Sequence, residues 1–236
     1  MEQEKQKTDL NWSSGKDAAL AFSLLQHSPT HRVTQLLTTV NSEHQRIVMH
    51  GVREELLDAQ ALSMGLPLKK IYLPASPQDD LYKMAMSRAL SDMQGEGITT
   101  AAYGDIFLED LRIYREQQLH GIGMKALFPL WKKDTRAMMQ LIEQLGVDAI
   151  LVCVNEKFLG KEFLGRKVNA ALLRDLPAGV DPCGENGEFH TFVYNTPYFS
   201  SPIPIVHREV TYHQYTPASN DSDQWNTGFY FLDLHL

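Results

Sequence analysis

Three groups of residues in this 236-residue chain have types and spacings suited to chemistry. The first is Ser13-Ser14-Gly15-Lys16-Asp17, between a strand-like run from Leu10 to Trp12 and a helix-like run from Ala18 to Leu25. A strand, a small-residue turn and a helix start form an anion site, because unpaired backbone N–H groups and the helix dipole point the same way. Lys16 would add a point charge and Ser13 a hydroxyl donor. The stretch is not a Walker A loop, since G-x-x-x-x-G-K-[ST] is absent. A polar strand-to-helix turn, with Asp17 as a first-turn acid, is the plainer alternative.

The second group is Glu185, Glu188 and His190 in Cys183-Gly184-Glu185-Asn186-Gly187-Glu188-Phe189-His190. Two carboxylates and an imidazole this close could hold Mg²⁺, an amine or ammonium. On a strand, Glu188 and His190 would share a face. An acidic turn leading into a solvent-facing strand is the alternative. The third is Gly104-Asp105, at the carboxyl end of an expected strand, Thr99 to Tyr103. Ligands of open α/β sheets bind at that edge, so Asp105 could coordinate Mg²⁺ or orient a nucleophile; it could equally cap the next helix. Glu109 and Asp110 read as first-turn acids that complement a helix dipole. His50 and Arg53 fall in a loop, Lys161 and Arg166 beside glycines.

The elements that must position these groups follow from periodicity. Strands are expected at Arg32 to Val40, Lys69 to Leu73, Lys125 to Leu127 and Asp148 to Val154. Helices are expected at Arg53 to Met64, Asp79 to Gln94 with a stripe of Leu81, Met84, Ala85 and Ala89, and Leu108 to His120. Asp134 would cap a helix with the face Met138, Leu141, Ile142 and Leu145. Leu164, Val168, Ala171 and Leu172 mark a further helix. Alternation of strand and helix predicts a parallel sheet covered on both faces. Prolines then concentrate between Pro177 and Pro217, strands are expected at Glu188 to Tyr194 and Val206 to Tyr212, and Ser219 to Thr227 reads as a polar loop. The expected organisation is residues 1–133 as one domain and 134–236 as a smaller α+β domain.

Composition bounds the partners. The formal charge is −7, with 43% apolar and 22% charged residues, which fits a globular chain and counts against a nucleic-acid surface. Cys153 and Cys183 form no C-x-x-C pair, so no zinc ribbon or redox dithiol is expected. No apolar run approaches a membrane span, no signal peptide is visible, and the expectation is a reducing, cytoplasmic setting. Nothing fixes a homo-oligomeric interface, which stays open.

Ser13 to Asp17 resembles the S-G-G-x-D-[ST] loop of the N-type ATP pyrophosphatases. Met49-His50-Gly51-Val52-Arg53, Tyr103-Gly104-Asp105-Ile106, Phe128-Pro129-Leu130-Trp131, Leu159 to Arg166 and Cys183 to Val193 resemble, in that order, one branch of them: the diphthine–ammonia ligase family with its bacterial relatives. The resemblance runs from about residue 9 to about residue 213 of this chain. It implies a Rossmann-like sheet of the adenine-nucleotide alpha-hydrolase type with a smaller C-terminal α+β domain. It implies an ATP-dependent ligase that joins ammonia or an amine to a small or protein-borne carboxylate through an acyl-adenylate. ATP and Mg²⁺ are the implied ligands. Lys16, Asp17 and Asp105 would be catalytic, with Asp17 and Asp105 toward the metal. Ser13, Ser14, Gly15, Lys16, His50 and Gly104 would bind nucleotide, and Glu185, Glu188 and His190 would face the acceptor. The chain departs from the family pattern at Ser14 (usually Gly), Ala18 (usually Ser or Thr) and His190 (usually acidic). Losing one hydroxyl at Ala18 removes a hydrogen bond worth about 0.5–1.5 kcal/mol net. Two further readings stay open: a nucleotide-sensing protein without turnover, and a tRNA-modifying enzyme of the same loop class.

Overall fold

The computed structural model describes residues 4–47, 50–74, 79–215 and 227–236. Strand β1 (Gln6–Asn11) is followed by α1 (Lys16–Gln26), β2 (His31–Asn41), β3 (Arg46–Ile47) and α2 (Glu54–Met64). Next come β4 (Leu68–Leu73), α3 (Asp79–Gly95), β5 (Thr100–Ala102), α4 (Glu109–His120) and β6 (Lys125–Leu127). β1, β2, β4, β5 and β6 are parallel, in the spatial order β4-β2-β1-β5-β6, and β3 pairs antiparallel with the far end of β2. The fold is the expected Rossmann-like α/β type.

This order decides where a ligand can go. The chain leaves β1 toward β2 through α1, and leaves β5 toward β6, on the opposite side, through α4. Apolar residues of α1 and α2, among them Leu20, Leu56 and Leu57, join one core. Those of α3 and α4, among them Leu90, Met93 and Leu119, join the core of the other face. The connections therefore diverge between the carboxyl ends of β1 and β5, which opens a crevice at this switch point. Ser13 to Lys16 leaves the tip of β1, and Gly104-Asp105 leaves the tip of β5.

The remaining chain forms a second sheet. α5 (Thr135–Gln144) precedes β7 (Asp148–Asn155), a 3-10 turn at Lys161–Phe163, α6 (Ala170–Asp175), β8 (Phe189–Asn195), β9 (Val206–Tyr215) and β10 (Thr227–His235). These four strands are antiparallel in the order β8-β7-β10-β9. Asp134 caps α5 as expected, its side chain accepting from the Ala137 N–H at 2.7 Å. The apolar faces of this sheet and of α1 and α2 share one continuous core.

Several expectations need correction. The stripe Leu81, Met84, Ala85, Ala89 is only partly the buried face of α3: Ala89 is inside and Ala85 packs against the core, but Leu81 and Met84 are exposed, Met84 to 71%, and Met86, Leu90 and Met93 complete the buried face. Both sets have helical spacing, and only packing against β4 and β5 selects between them. The helix expected around Leu164 to Leu172 is confined to α6, because Gly165 turns left-handed at φ +76° and Asn169 caps the new helix through Leu172 N–H. β1 begins earlier than the run at Leu10. Of the loop expected at Ser219 to Thr227, residues 219–226 lie outside the described residues and Thr227 already starts β10, a strand the sequence reading omitted.

β10 joins the two sheets through one carboxylate. Asp233 accepts from Arg46 at 2.7 Å and from Arg53 at 2.9 and 2.8 Å, and His235 lies 3.1 Å away. Arg46 also donates to the Gly51 carbonyl at 2.7 Å. Gly51 is left-handed at φ +68°, and a Cβ there would lie 2.6 Å from the Phe231 ring, so the loop carrying His50 lies flat on β10. Burial alone would raise the Asp233 carboxyl, but Arg53 and Arg46 outweigh it and hold it well below the usual carboxylate range. A depressed carboxyl stabilises the fold above its unfolded pKa of about 3.9 and loses that contribution as pH falls. Asp233→Asn should therefore cost about 1.5–3 kcal/mol at pH 7, the range for hydrogen bonds to charged groups. The gap from the unaltered protein should narrow as the pH drops below about 4. Urea melts at pH 7 and pH 3 check this; an equal gap at both would overturn the assignment.

Candidate active site

The crevice at the switch point is a cleft of about 440 Å³, within the range of about 300–1,000 Å³ common for small-molecule sites. Its walls include Ser13, Lys16, Asp17, His50, Gly104, Asp105, Glu185 and His190, so most of the residues singled out in the sequence meet here. Asn11, Thr38, Tyr82 and Tyr103 line it from the first sheet and its helices, and Thr191 from β8.

The loop after β1 takes its shape from β8. The Val193 N–H donates to the Ser14 carbonyl at 2.9 Å, and the Lys16 N–H donates to Thr191 Oγ1 at 3.0 Å. Gln60, fully buried in α2, donates to the Ser14 and Val193 carbonyls and accepts from Trp12 Nε1 at 2.8 Å. A Cβ on Gly15 would lie 3.2 Å from both His50 Cε1 and the Thr191 carbonyl, so a side chain there would push the loop and its neighbours apart by a few tenths of an ångström. Ser14 is left-handed at φ 67°, the region where glycine carries no steric penalty, and its buried Oγ has no partner among the described residues. Ser14 and Gly15 stand behind the cleft wall, whereas Ser13, Lys16 and Asp17 form it.

Lys16 is 2% exposed. Its Nζ donates to the Cys183 carbonyl and to Asp17, the latter at 2.8 Å. Burial would strip its proton, but Asp17 first, then Cys183 and Glu185, hold it above its ordinary value, so it stays charged. Asp17 Oδ1 is left without a partner among the described residues. Asp105 lies 2.9 Å from Arg115 of α4, whose guanidinium also stacks over Tyr103 at 4.0 Å. Burial raises the Asp105 carboxyl, and Arg115 opposes the rise. Gly104 has a packing task. A Cβ there would meet the Asp17 and Ala18 backbone at 3.0–3.1 Å, so this glycine lets the β5 tip reach the start of α1.

The acidic segment divides in two. Glu185 accepts from the Ile106 N–H at 2.7 Å and lines the cleft. Burial, reinforced by Asp17 and Asp105, pushes its carboxyl up to about 7 against the pull of Ile106 and Lys16. Glu188 lies elsewhere. It is buried and accepts from Asp181 N–H, Asn186 N–H and the Asn186 side chain at 2.9–3.1 Å. It does not share a strand face with His190, because β8 begins one residue later and Gly187, at φ +84°, turns the chain just before it. Glu188 therefore shapes the segment and does not line the cleft.

His190 stacks on His50, with ring centroids 4.4 Å apart. Burial, and then nearby Lys16, lowers His50 to about 4; burial, His50 and Lys16 lower His190 well below the usual range. Both imidazoles are neutral at pH 7. His50 Nδ1 and His190 Nε2 have no partner among the described residues. Arg53, three residues beyond His50, is held at Asp233 and does not line the cleft.

Sequence reasoning missed Gln60, Arg115 and Thr191. Gln60 left a signal, a polar residue on the same helical stripe as Leu57 and Ala61. Thr191 left none, since Lys16 is 175 residues away, and Arg115 left none, since its partner Asp105 lies in the loop after β5 at no helical or strand spacing from it. Among the described residues no group of three or more His, Cys, Asp or Glu is arranged to hold a metal ion, and no helix is long and apolar enough to cross a membrane.

Residues 6–126 match the family model of the diphthamide synthase N-terminal domain, and residues 134–220 that of the diphthamide synthase C-terminal domain. The chain is 27% identical to the diphthine–ammonia ligase of Danio rerio over 228 residues, covering 85% of this chain and 87% of that protein. It is 24% identical to that of Homo sapiens over an alignment of 252 residues, covering 95% and 90%. With the enzyme of the same name from Schizosaccharomyces pombe it shares 26% identity over 163 residues, covering 67% of this chain and 26% of that longer protein. A solved structure, the U34-tRNA thiolase NcsA from Methanococcus maripaludis with its 4Fe-4S cluster, aligns with a TM-score of 0.39 and 17% identity, covering 61% of this chain and 58% of that one; a score this low carries no argument.

Two outcomes follow from the site. Ser14→Gly removes left-handed strain of about 1–2 kcal/mol and should raise the melting temperature by a few degrees; an unchanged or lower value would contradict the strained loop. Glu185 is raised in the fold, so its contribution to stability is complete below its unfolded pKa of about 4.3 and is lost as pH rises through about 7. Glu185→Gln should thus gain stability relative to the unaltered protein between pH 5 and 8, measured by denaturant melts across that range. A constant difference would disprove it.

Proposed function

The chain belongs to the diphthamide synthase family, and from that premise we propose that it is an ATP-dependent ligase that joins ammonia, or an amine, to a carboxylate. Its curated relatives carry the name diphthine–ammonia ligase, which supports the reaction class. The observation that carries the reading is the charged, almost fully buried Lys16 at the start of α1, inside a cleft at the switch point of a parallel sheet. In this reading residues 1–133 hold the nucleotide and residues 134–236 bring the acceptor side to it.

The reaction would run in two steps. A carboxylate oxygen attacks the α-phosphorus of ATP, giving an acyl-adenylate and pyrophosphate. Ammonia then attacks the acyl carbon, and the amide forms as AMP and a proton leave. The chain's task is to neutralise phosphate charge and hold the reactants in line. Lys16 and the positive end of α1 face the phosphates, with Ser13 at the loop's edge. Asp17 has an oxygen free for Mg²⁺, and Asp105 is shared with Arg115. This fits the habit of Mg²⁺, which binds one or two carboxylates together with substrate phosphates and requires no all-protein cage. Bound there, the ion would supply charge neutralisation at the phosphates. Glu185, whose carboxyl burial pushes up to about 7, would accept the proton released by the amine. Neutral His50 and His190 line the acceptor side, where a charged imidazole would repel an ammonium.

The test is product formation. With ATP, Mg²⁺, ammonium and a panel of free and protein-borne carboxylates, AMP and pyrophosphate should appear in equal amounts. Lys16→Ala should reduce AMP release at least about hundredfold, as expected for removing a charged group from the reacting phosphates. ATP binding with no AMP from any carboxylate would replace the ligase reading with nucleotide sensing. Undiminished turnover in a folded Lys16→Ala would remove Lys16 from the site.

A further inference from the structure

We infer that Thr191 of β8 is a phosphate-binding residue of the cleft, donating its hydroxyl proton to the ligand's phosphate oxygen beside the start of α1. The inference rests on the nucleotide reading of the cleft and adds a contact from the second sheet. Thr191 lies in the cleft wall and is 2% exposed. Its Oγ1 accepts from the Lys16 N–H at 3.0 Å. A hydroxyl has one donor and two acceptor positions, so accepting this bond leaves the O–H free. The bond from the Lys16 N–H is the one hydrogen bond that Thr191 Oγ1 makes among the described residues. A buried donor without an acceptor is unfavourable unless a ligand completes it.

The surroundings specify what that ligand presents. The hydroxyl is fixed by the first amide of α1, where the helix dipole favours negative charge. The Lys16 ammonium supplies a full positive charge on the same wall. Ala18, further along the helix, has no hydroxyl of its own. An acceptor-only, anionic oxygen meets all three conditions, and a phosphate oxygen does so at the mouth of a strand–loop–helix turn. The Lys16 N–H is itself spent on Thr191. The threonine thus relays the helix terminus to the ligand by one bond.

The experiment compares Thr191→Val, which keeps the shape and removes the hydroxyl, with Thr191→Ser, which keeps the hydroxyl. Calorimetry with ATP plus Mg²⁺ and with adenosine gives the two affinities for each protein, and circular dichroism confirms folding. Thr191→Val should weaken ATP about tenfold, Thr191→Ser should stay within about twofold of the unaltered protein, and adenosine affinity should be unchanged throughout. If Thr191→Val does not fold, Thr191→Ala, which leaves room for a water, takes its place with the same expectation. Unweakened ATP binding without the hydroxyl would overturn the inference alone. Equal losses for ATP and adenosine would reduce Thr191 to a structural role. Failure of the unaltered protein to bind either ligand would overturn the nucleotide reading and the inference with it.

Discussion

A charged ammonium with almost no access to water needs partners supplied by the fold, and Lys16 draws them from distant parts of the chain. Asp17 is its neighbour in sequence, but the Cys183 carbonyl arrives from 167 residues away. That one requirement fixes the segment before β8 against the start of α1. Glu185, two residues beyond Cys183, then reaches Ile106 after β5. The two loops that define the switch point are thereby tied to the same segment, one through the buried Lys16 charge and the other through the Glu185 carboxylate.

The same logic runs through the second sheet. β8 pairs with β7 through its ladder, yet it also holds the backbone of the loop after β1, Thr191 accepting from the Lys16 N–H and the Val193 N–H donating to the Ser14 carbonyl. Gln60 bridges Trp12, Ser14 and Val193, a buried amide whose donors and acceptor are used by backbone and indole. β10 performs the matching task for the loop carrying His50, through Asp233 and the Phe231 ring. The smaller sheet is a mould against which two loops of the larger sheet are set. Such loops gain their precision from elements outside their own domain, which explains how Ser14 is held in a left-handed conformation that costs a serine energy.

Electrostatically the cleft has two sides. Lys16, with Asp17 beside it, forms a charged wall at the helix terminus. Glu185, His50 and His190 form a wall whose groups are drawn toward their neutral states by burial. This asymmetry suits the proposed reaction, in which a polyphosphate and a neutral nitrogen nucleophile meet in one cleft. Desolvation is the common cause on the second wall, so its chemistry depends on the cleft remaining closed to bulk water.

The strand–helix alternation, the family of the chain and the loop at Ser13 to Asp17 could be read from local pattern, because each depends on residues within a few positions of one another. The Asp134 cap and the carboxyl-edge position of Asp105 were equally local. What the sequence alone could not decide was which of two equivalent stripes on α3 faced inward, since Met84 and Met86 both satisfy helical spacing and only the neighbouring strands discriminate. It could not divide Glu185 from Glu188, because a one-residue shift in the start of β8 and a left-handed Gly187 turn one carboxylate into the cleft and the other into the loop interior. The pairing of His50 with His190, the Arg46–Asp233–Arg53 clamp and the Lys16–Thr191 bond each join residues more than a hundred positions apart. Such contacts leave no period or spacing to read; they exist only once the two sheets have packed and their buried polar groups have had to find partners.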